Sequence, residues 1–262
     1  MKPAIVVTGA SSGIGREIAR VAAREGGVMV LVALGQESLD QLAAELRQSG
    51  VEAHVLCHDL ADRDAGQLLE NRLAEIGTYC DVLVNSAGFG LFGAAIKADR
   101  GRHLKLIDVN MRALTDLTLR FLPGMIARRR GGVLNVGSVT GYTPGPNMST
   151  YFASKAYVRS FTAALAQEVS GTGVTVTCLT PSVVRTALFE GFAVADTWLF
   201  KLTPRADAPE IAEAGWRGFR AGKSLVIPRL IDRVLIAGAQ LLPSAVLLRM
   251  ISALLRVRRR RG

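Results

Sequence analysis

Short, continuously apolar runs recur along this chain, each separated from the next by a segment of helical length. That alternation constrains the fold more than any other feature. Ala4–Thr8, Val28–Ala33, Val51–Cys57, Asp81–Asn85, Val133–Gly137, Val174–Leu179 and Leu225–Ile227 read as seven strands. Most lack the polar–apolar alternation of a half-solvated sheet, so both faces of the sheet must be covered. The segments Ile14–Arg24, Glu37–Gln48, Ala65–Ile76, Arg100–Arg129, Thr150–Val169 and Pro209–Ala221 read as the covering helices. This rhythm predicts an α/β fold with a doubly wound, seven-stranded parallel sheet and helices on both faces.

A length of 262 residues favours one domain with a sizeable core. Hydrophobic residues make up 49% of it and charged residues 21%, which excludes a disordered chain. We divide it into a main α/β domain, residues 1–228, and a basic amphipathic helical extension, residues 229–262. Cys57, Cys80 and Cys178 stand alone inside apolar runs, which predicts buried thiols in a reducing, cytoplasmic setting. No Cys or His spacing suits a metal. The N-terminus enters a strand at once, which predicts no signal peptide.

The first strand runs straight into Thr8-Gly-Ala-Ser-Ser-Gly-Ile-Gly15 and then a helix. Glycines at a strand-to-helix turn let backbone approach a pyrophosphate, and the N–H groups and dipole of the helix start hold its charge. The spacing is Gly-x-x-x-Gly-x-Gly rather than the commoner Gly-x-Gly-x-x-Gly. Further on, Tyr151 stands four residues ahead of Lys155 in a helical segment, so the two share a face. A free tyrosine ionises near pH ~10, and a fixed positive charge nearby would lower that value.

Together these pieces resemble the short-chain dehydrogenase/reductase family in its compact, Rossmann-type, single-domain form. The matching segments are TGASSGIG at 8–15, Asp59-Leu60, NSAG at 85–88, Asn110, Ser138, Tyr151-x-x-x-Lys155 and TPSVVRT at 180–186. The resemblance implies hydride transfer between a nicotinamide and an alcohol or carbonyl carbon. Tyr151 would be the general acid/base and Ser138 a donor to the substrate oxygen. Lys155 would tune the tyrosine and bind the nicotinamide ribose, and Asn110 would hold a water that links Lys155 to solvent. Gly9, Ser11, Ser12, Gly13, Ile14 and Gly15 would cradle the pyrophosphate. Asp59 and Leu60 would meet the adenine, and Asn85, Ala87 and Gly88 the adenine ribose side. Val184 and Thr186 would bind the carboxamide. Ser86 and Ser182 replace the asparagine and glycine usual in the family, which predicts an altered loop.

Ala33 and Leu34, where an acid would select NAD, are uncharged, and Arg16 is expected within reach, so NADP(H) is favoured over NAD(H). Residues 187–200 should cover the nicotinamide. Phe189, Phe192, Trp198 and Phe200, with Phe89, Leu91 and Phe92, would make a wall for a small lipophilic ketone or secondary alcohol, or else pack this segment onto the core or form a subunit contact. The net charge of +10 is concentrated in the tail: without the six arginines among the last fourteen residues it falls to +4. The uncharged run Val234–Leu248 is too short to span a membrane, which takes about 20 residues, and Pro243 should divide it. A packed C-terminal helix and an interfacial helix on an anionic membrane surface, peripheral to it, both fit this pattern. Arginines without interleaved aromatics argue against nucleic acid. A homodimer or homotetramer through the helices at 100–129 and 150–169 is what the resemblance suggests. The alternatives to an oxidoreductase are a dinucleotide-sensing binding protein on the same fold and a peripheral membrane protein acting through its tail.

Overall fold

A computed structural model describes residues 1–184, 197–198 and 205–256. Its seven strands are β1 (Lys2–Thr8), β2 (Val28–Ala33), β3 (Glu52–Cys57), β4 (Thr78–Asn85), β5 (Gly132–Val136), β6 (Thr175–Leu179) and β7 (Leu225–Val226). They form one sheet in the order β3-β2-β1-β4-β5-β6-β7, and every pairing is parallel. The helices are α1 (Gly13–Ala23), α2 (Gln36–Gln48), α3 (Ala65–Glu75), α4 (Arg100–Ile107), α5 (Leu114–Arg128), α6 (Ser149–Glu168) and α7 (Ala208–Arg220). Two more, α8 (Leu230–Leu241) and α9 (Ser244–Leu254), follow β7.

The two-residue period of a strand sorts its side chains between two layers. Met29 and Leu31 pack with Ile18 of α1, Leu39 of α2 and Ile211 of α7. Val28, Val30 and Val32 pack with Leu69 of α3, Leu117 of α5 and Leu165 of α6. Both faces are therefore covered, as the unbroken apolar strands require, and each fully buried leucine contributes about 1.5–3 kcal/mol. From β1 the winding runs outward to β3, and from β4 it runs the other way to β7. Such a reversal opens a crevice at the carboxyl ends of the two strands flanking it, here β1 and β4.

Two departures from the sequence expectation matter. Residues 100–129 are not one helix: a π-helical turn, Asp108–Ala113, separates α4 from α5. A π turn adds a residue to the hydrogen-bond ladder and re-aims a side chain, and the one it re-aims here is Asn110. Cys57 is exposed rather than buried, at the last position of β3, whereas Cys80 and Cys178 are buried. Past β7, Pro243 separates α8 from α9 as expected. Among the described residues of this tail, only Asp232, Ile236, Leu247 and Leu255 are buried. No helix among the described residues is long and apolar enough to cross a membrane.

Candidate active site

The crevice begins where β1 ends. Thr8 Oγ1 accepts the N–H groups of Ser86 (3.1 Å) and Ala87 (3.2 Å) and donates to Val84 O (3.2 Å), which ties the ends of β1 and β4 together. Gly9 follows at φ +68°, and a Cβ there would lie 2.8 Å from the backbone of Ala87. Only glycine satisfies both conditions. Ser12 precedes α1 without capping it through its side chain. The first-turn N–H groups at Gly13, Ile14 and Gly15 thus point at the crevice with the positive end of the helix dipole, a site suited to phosphate.

One cavity of about 980 Å³ runs from this turn to the tail. Gly9, Ser11, Ser12, Gly13, Ile14 and Gly15 line one end of it, with Ala33, Leu34, His58, Asp59 and Leu60 beside them. Asp59 Oδ2 accepts from Lys105 Nζ (2.6 Å) and Oδ1 from the Ala61 N–H (2.9 Å). Burial raises the Asp59 pKa, but these bonds outweigh it and hold the carboxyl below its usual range. Ala87, Gly88 and Val184 also line the cavity. Asn85 does not. It lies on the same face of β4 as Leu83 and donates to Thr118 Oγ1 (3.0 Å) and Asn135 Oδ1 (2.9 Å), a buried network between β4, β5 and α5. Thr186 and most of the segment 187–200 lie outside the described residues.

Ser138, Tyr151 and Lys155 converge on the cavity wall. Ser138 follows β5 and its Oγ accepts the Thr140 N–H at 3.2 Å. Tyr151 and Lys155 project from the same face of α6, with Lys155 Nζ 5.9 Å from the centre of the tyrosine ring and donating to Val136 O at 2.8 Å. Asn110 accepts the Phe89 N–H (3.1 Å) and donates to Phe89 O and Ser154 Oγ (3.1 Å each). It lies outside the wall but next to it: a Cβ on Gly88 would sit 3.0 Å from Asn110 Oδ1 and 3.8 Å from Lys155 Nζ.

The electrostatics differ from the expectation of a lysine-acidified tyrosine. Tyr151 is 4% exposed, and burial pushes its phenol up to about 12 against the opposing pull of the Ser138 and Thr140 hydroxyls. Lys155 is 7% exposed, and burial brings its ammonium down to about 8. Desolvation penalises the charged form of each group and outweighs the charge effect that the i, i+4 spacing suggests.

The sequence reading missed the share of the tail in this site. Leu235, Ile236, Leu242, Leu247, Ile251 and Leu254 line the cavity. Leu255 packs in one cluster with Tyr151, Phe152, Met148, Leu91 and Leu106, and Phe89, Phe92 and Ile251 pack against that cluster. The signal was present as the helical spacing of Leu247, Ile251 and Leu255, but that spacing does not say what it packs on.

Known proteins share this arrangement. The family described as short chain dehydrogenase matches residues 3–194. Sulfoacetaldehyde reductase 2 of Chromohalobacter salexigens is 35% identical over 219 residues, covering 81% of this chain and 86% of that protein. A short chain dehydrogenase of Pseudocercospora fijiensis is 36% identical over 186 residues, covering 70% of this chain and 60% of that protein. Among solved structures, a short-chain dehydrogenase from Sphingobium yanoikuyae in complex with NADPH superposes with a TM-score of 0.80 at 31% identity, covering 99% of this chain and 98% of that one. A bulky-bulky ketone specific alcohol dehydrogenase from Comamonas testosteroni gives 0.76 at 28%, covering 93% and 96%. The turn after β1, the Tyr-x-x-x-Lys face of α6 and these matches together make the chain a member of the short-chain dehydrogenase family, oxidoreductases of alcohol and carbonyl groups that use a nicotinamide dinucleotide.

Proposed function

We propose that this protein catalyses NADP(H)-dependent hydride transfer between the nicotinamide and a lipophilic ketone or secondary alcohol, with Tyr151 as the general acid/base. The observation that carries this reading is one cavity holding the Gly9–Gly15 anion cradle at one end and Ser138, Tyr151 and Lys155 further along its wall. When bound, the nicotinamide supplies or accepts the hydride. Gly9, Ser11, Ser12, Gly13, Ile14, Gly15, Asp59, Leu60, Ala87, Gly88 and Val184 are the residues that would hold the dinucleotide. Burial keeps the Tyr151 phenol protonated at neutral pH, the form that donates to a carbonyl oxygen. Ser138 Oγ donates to the same substrate oxygen, a dipole fixed before the reaction begins. Lys155 binds the ribose and holds a positive charge under the phenol. Asn110 positions the Phe89 segment beside both.

Arg16 is not among the residues that line the cavity, whereas uncharged Ala33 and Leu34 in the wall support NADP(H). So do the NADPH of the Sphingobium enzyme and the NADP of a metagenomic short-chain oxidoreductase 32% identical at a TM-score of 0.71. The apolar tail residues in the wall, and the ketone in the name of the Comamonas enzyme, support the substrate class. A panel of ketones offered with NADPH and NADH tests the reading. NADPH should support turnover, and Tyr151→Phe should lose about 10²–10⁴-fold in kcat while still quenching on dinucleotide binding. Binding without turnover on any ketone would leave a dinucleotide sensor instead.

A second reading rests on a separate observation. Away from the cavity wall, α8 and α9 expose Leu230, Ile231, Leu241, Val246 and Leu248, more apolar surface than two helices usually leave to water. Arg233, Arg249 and Arg256 are exposed among them. We read this face as a seat for an anionic membrane surface. Exposed Leu104, Ile107 and Leu119 on α4 and α5 support a homodimer or homotetramer formed through those helices.

A further inference from the structure

The reaction proposed above leaves several polar groups of the cavity wall without a task, and among the described residues Asp232 is the one carboxylate of that set with an unpartnered oxygen. Asp232, in the first turn of α8, is 3% exposed. It lines the cavity, and its Oδ2 has no hydrogen-bond partner among the described residues. The other carboxyl in the wall, Asp59, is satisfied by Lys105 and Ala61. Among the described residues no cation of the wall is paired with Asp232: Lys105 Nζ donates to Asp59 and Lys155 Nζ to Val136 O. The tail residues around it in the wall, Leu235 and Ile236 among them, are apolar.

Position decides which ligand this group meets. α8 lies against the turn Val139–Tyr142, which directly follows Ser138. We therefore assign Asp232, on that helix, to the Ser138 end of the cavity. An aspartate in a first helical turn favours the helix dipole, but that benefit is available to an exposed side chain and does not require burial. A buried carboxyl oxygen left without a donor destabilises the folded protein. Such a cost is commonly met in residues kept for a ligand.

We propose that Asp232 is a substrate-specificity residue: its carboxylate accepts a hydrogen bond from a donor, a hydroxyl or an ammonium, carried by the substrate at a distance from the carbonyl that Tyr151 serves. The substrate is then a lipophilic ketone or alcohol with a polar tip, not a plain hydrocarbon ketone. This deepens the oxidoreductase reading and rests on it for the identity of the reacting group.

The test uses the full-length protein, Asp232→Leu and Asp232→Asn. The ligands are methyl ketones of graded chain length, each tipped with a methyl, a hydroxyl or an ammonium group. In thermal melts without ligand, Asp232→Leu should have the higher Tm. A lower Tm would mean that the carboxyl holds the tail in place, and would overturn the proposal. With ligand, hydroxyl- or ammonium-tipped ketones should raise the wild-type Tm more than methyl-tipped ones, and the difference should vanish in Asp232→Leu. Asp232→Asn, which keeps an acceptor oxygen, should retain the hydroxyl preference and lose the ammonium preference. In turnover, Asp232→Leu should raise KM for donor-tipped ketones by roughly tenfold or more, with kcat little changed. Equal ranking of the three tips by wild type and Asp232→Leu would overturn the idea. Should no ketone be reduced with NADPH or NADH, the oxidoreductase reading falls, and the melting series still decides the fate of Asp232.

Discussion

Tyr151 and Lys155 show how much a pair of side chains changes once the rest of the chain surrounds it. Their shared face was legible because it needs only the helical period. Their protonation was not, because it depends on burial by β5, the Ser138 turn and the tail, all remote in sequence. The consequence is a pH dependence of stability with two opposed limbs. Lys155 has a folded value of about 8, below its ordinary ~10.4. Its penalty is fully present below pH 8 and is relieved as pH rises toward the unfolded value, where the unfolded chain binds more protons. Tyr151 has a folded value of about 12, above its ordinary ~10. Its contribution is fully present below the unfolded value and is lost as pH climbs through the folded one. A tenfold difference in proton affinity between the folded and unfolded chain corresponds to about 1.4 kcal/mol of stability. In urea titrations across alkaline pH, Lys155→Met should flatten the rise between about pH 8 and 10, and Tyr151→Phe should remove the fall above it. Gly9 is a simpler case, legible from the turn motif alone. Its positive φ and the Ala87 backbone leave no room for a methyl group. Gly9→Ala should cost on the order of 1–3 kcal/mol and abolish dinucleotide quenching.

At the level of elements, local pattern located nearly every strand and helix to within a few residues, because both faces of the sheet demand apolar residues. The π turn at Asp108–Ala113 escaped notice because one inserted residue leaves the apolar composition of 100–129 intact. Its effect is specific. It aims Asn110 at both the N–H and the C=O of Phe89, an edge-like bond pair that fixes the segment after β4. Asn110→Ala would strand those two backbone groups in the interior, at about 1–3 kcal/mol for an unsatisfied group, while Ser154 Oγ keeps its bond to Tyr151 O. It should lower kcat by shifting the cavity wall, and hydrogen exchange should quicken at Phe89. The tail gave half its story away. Pro243 announced the break between α8 and α9, but leucines at helical spacing serve a core, a membrane and a subunit contact equally well. The structure seats Leu255, 0% exposed, beside Tyr151 and Phe152. Leu255→Ala should loosen α9 by about 2–5 kcal/mol. Exchange should quicken in α9, while the amides of β1, β4 and β5 keep their protection.

For the molecule as a whole, the uneven charge becomes informative once the tail has a place. α8 and α9 present their inner face to the cavity and their outer, apolar face to the surroundings, and no acidic residue follows Asp232 in the chain. Arg233, Arg249, Arg256 and the run Arg258–Arg261 therefore put positive charge on the same terminal unit as the exposed leucines. A basic residue near an anionic bilayer contributes about 1 kcal/mol, so several of them with a leucine face are enough for reversible seating without a spanning helix. The two contributions respond differently to salt. Exposed charges are screened as the Debye length shrinks from about 10 Å at 0.1 M to 3 Å at 1 M, whereas apolar insertion is not. Co-sedimentation with anionic vesicles should exceed that with neutral vesicles and fall with salt, and truncation after Pro228 should remove it. A truncated protein that partitions as the intact one does would end the membrane reading. Intact protein that ignores vesicles but elutes as a dimer, where the truncated form elutes as a monomer, would assign the leucine face to a second copy of the chain. If the membrane holds, a lipophilic substrate dissolved in the bilayer would meet the protein on the side where the tail closes the cavity. Turnover of such a ketone in anionic vesicles should then exceed turnover in neutral ones at equal total concentration, and that advantage should disappear at high salt.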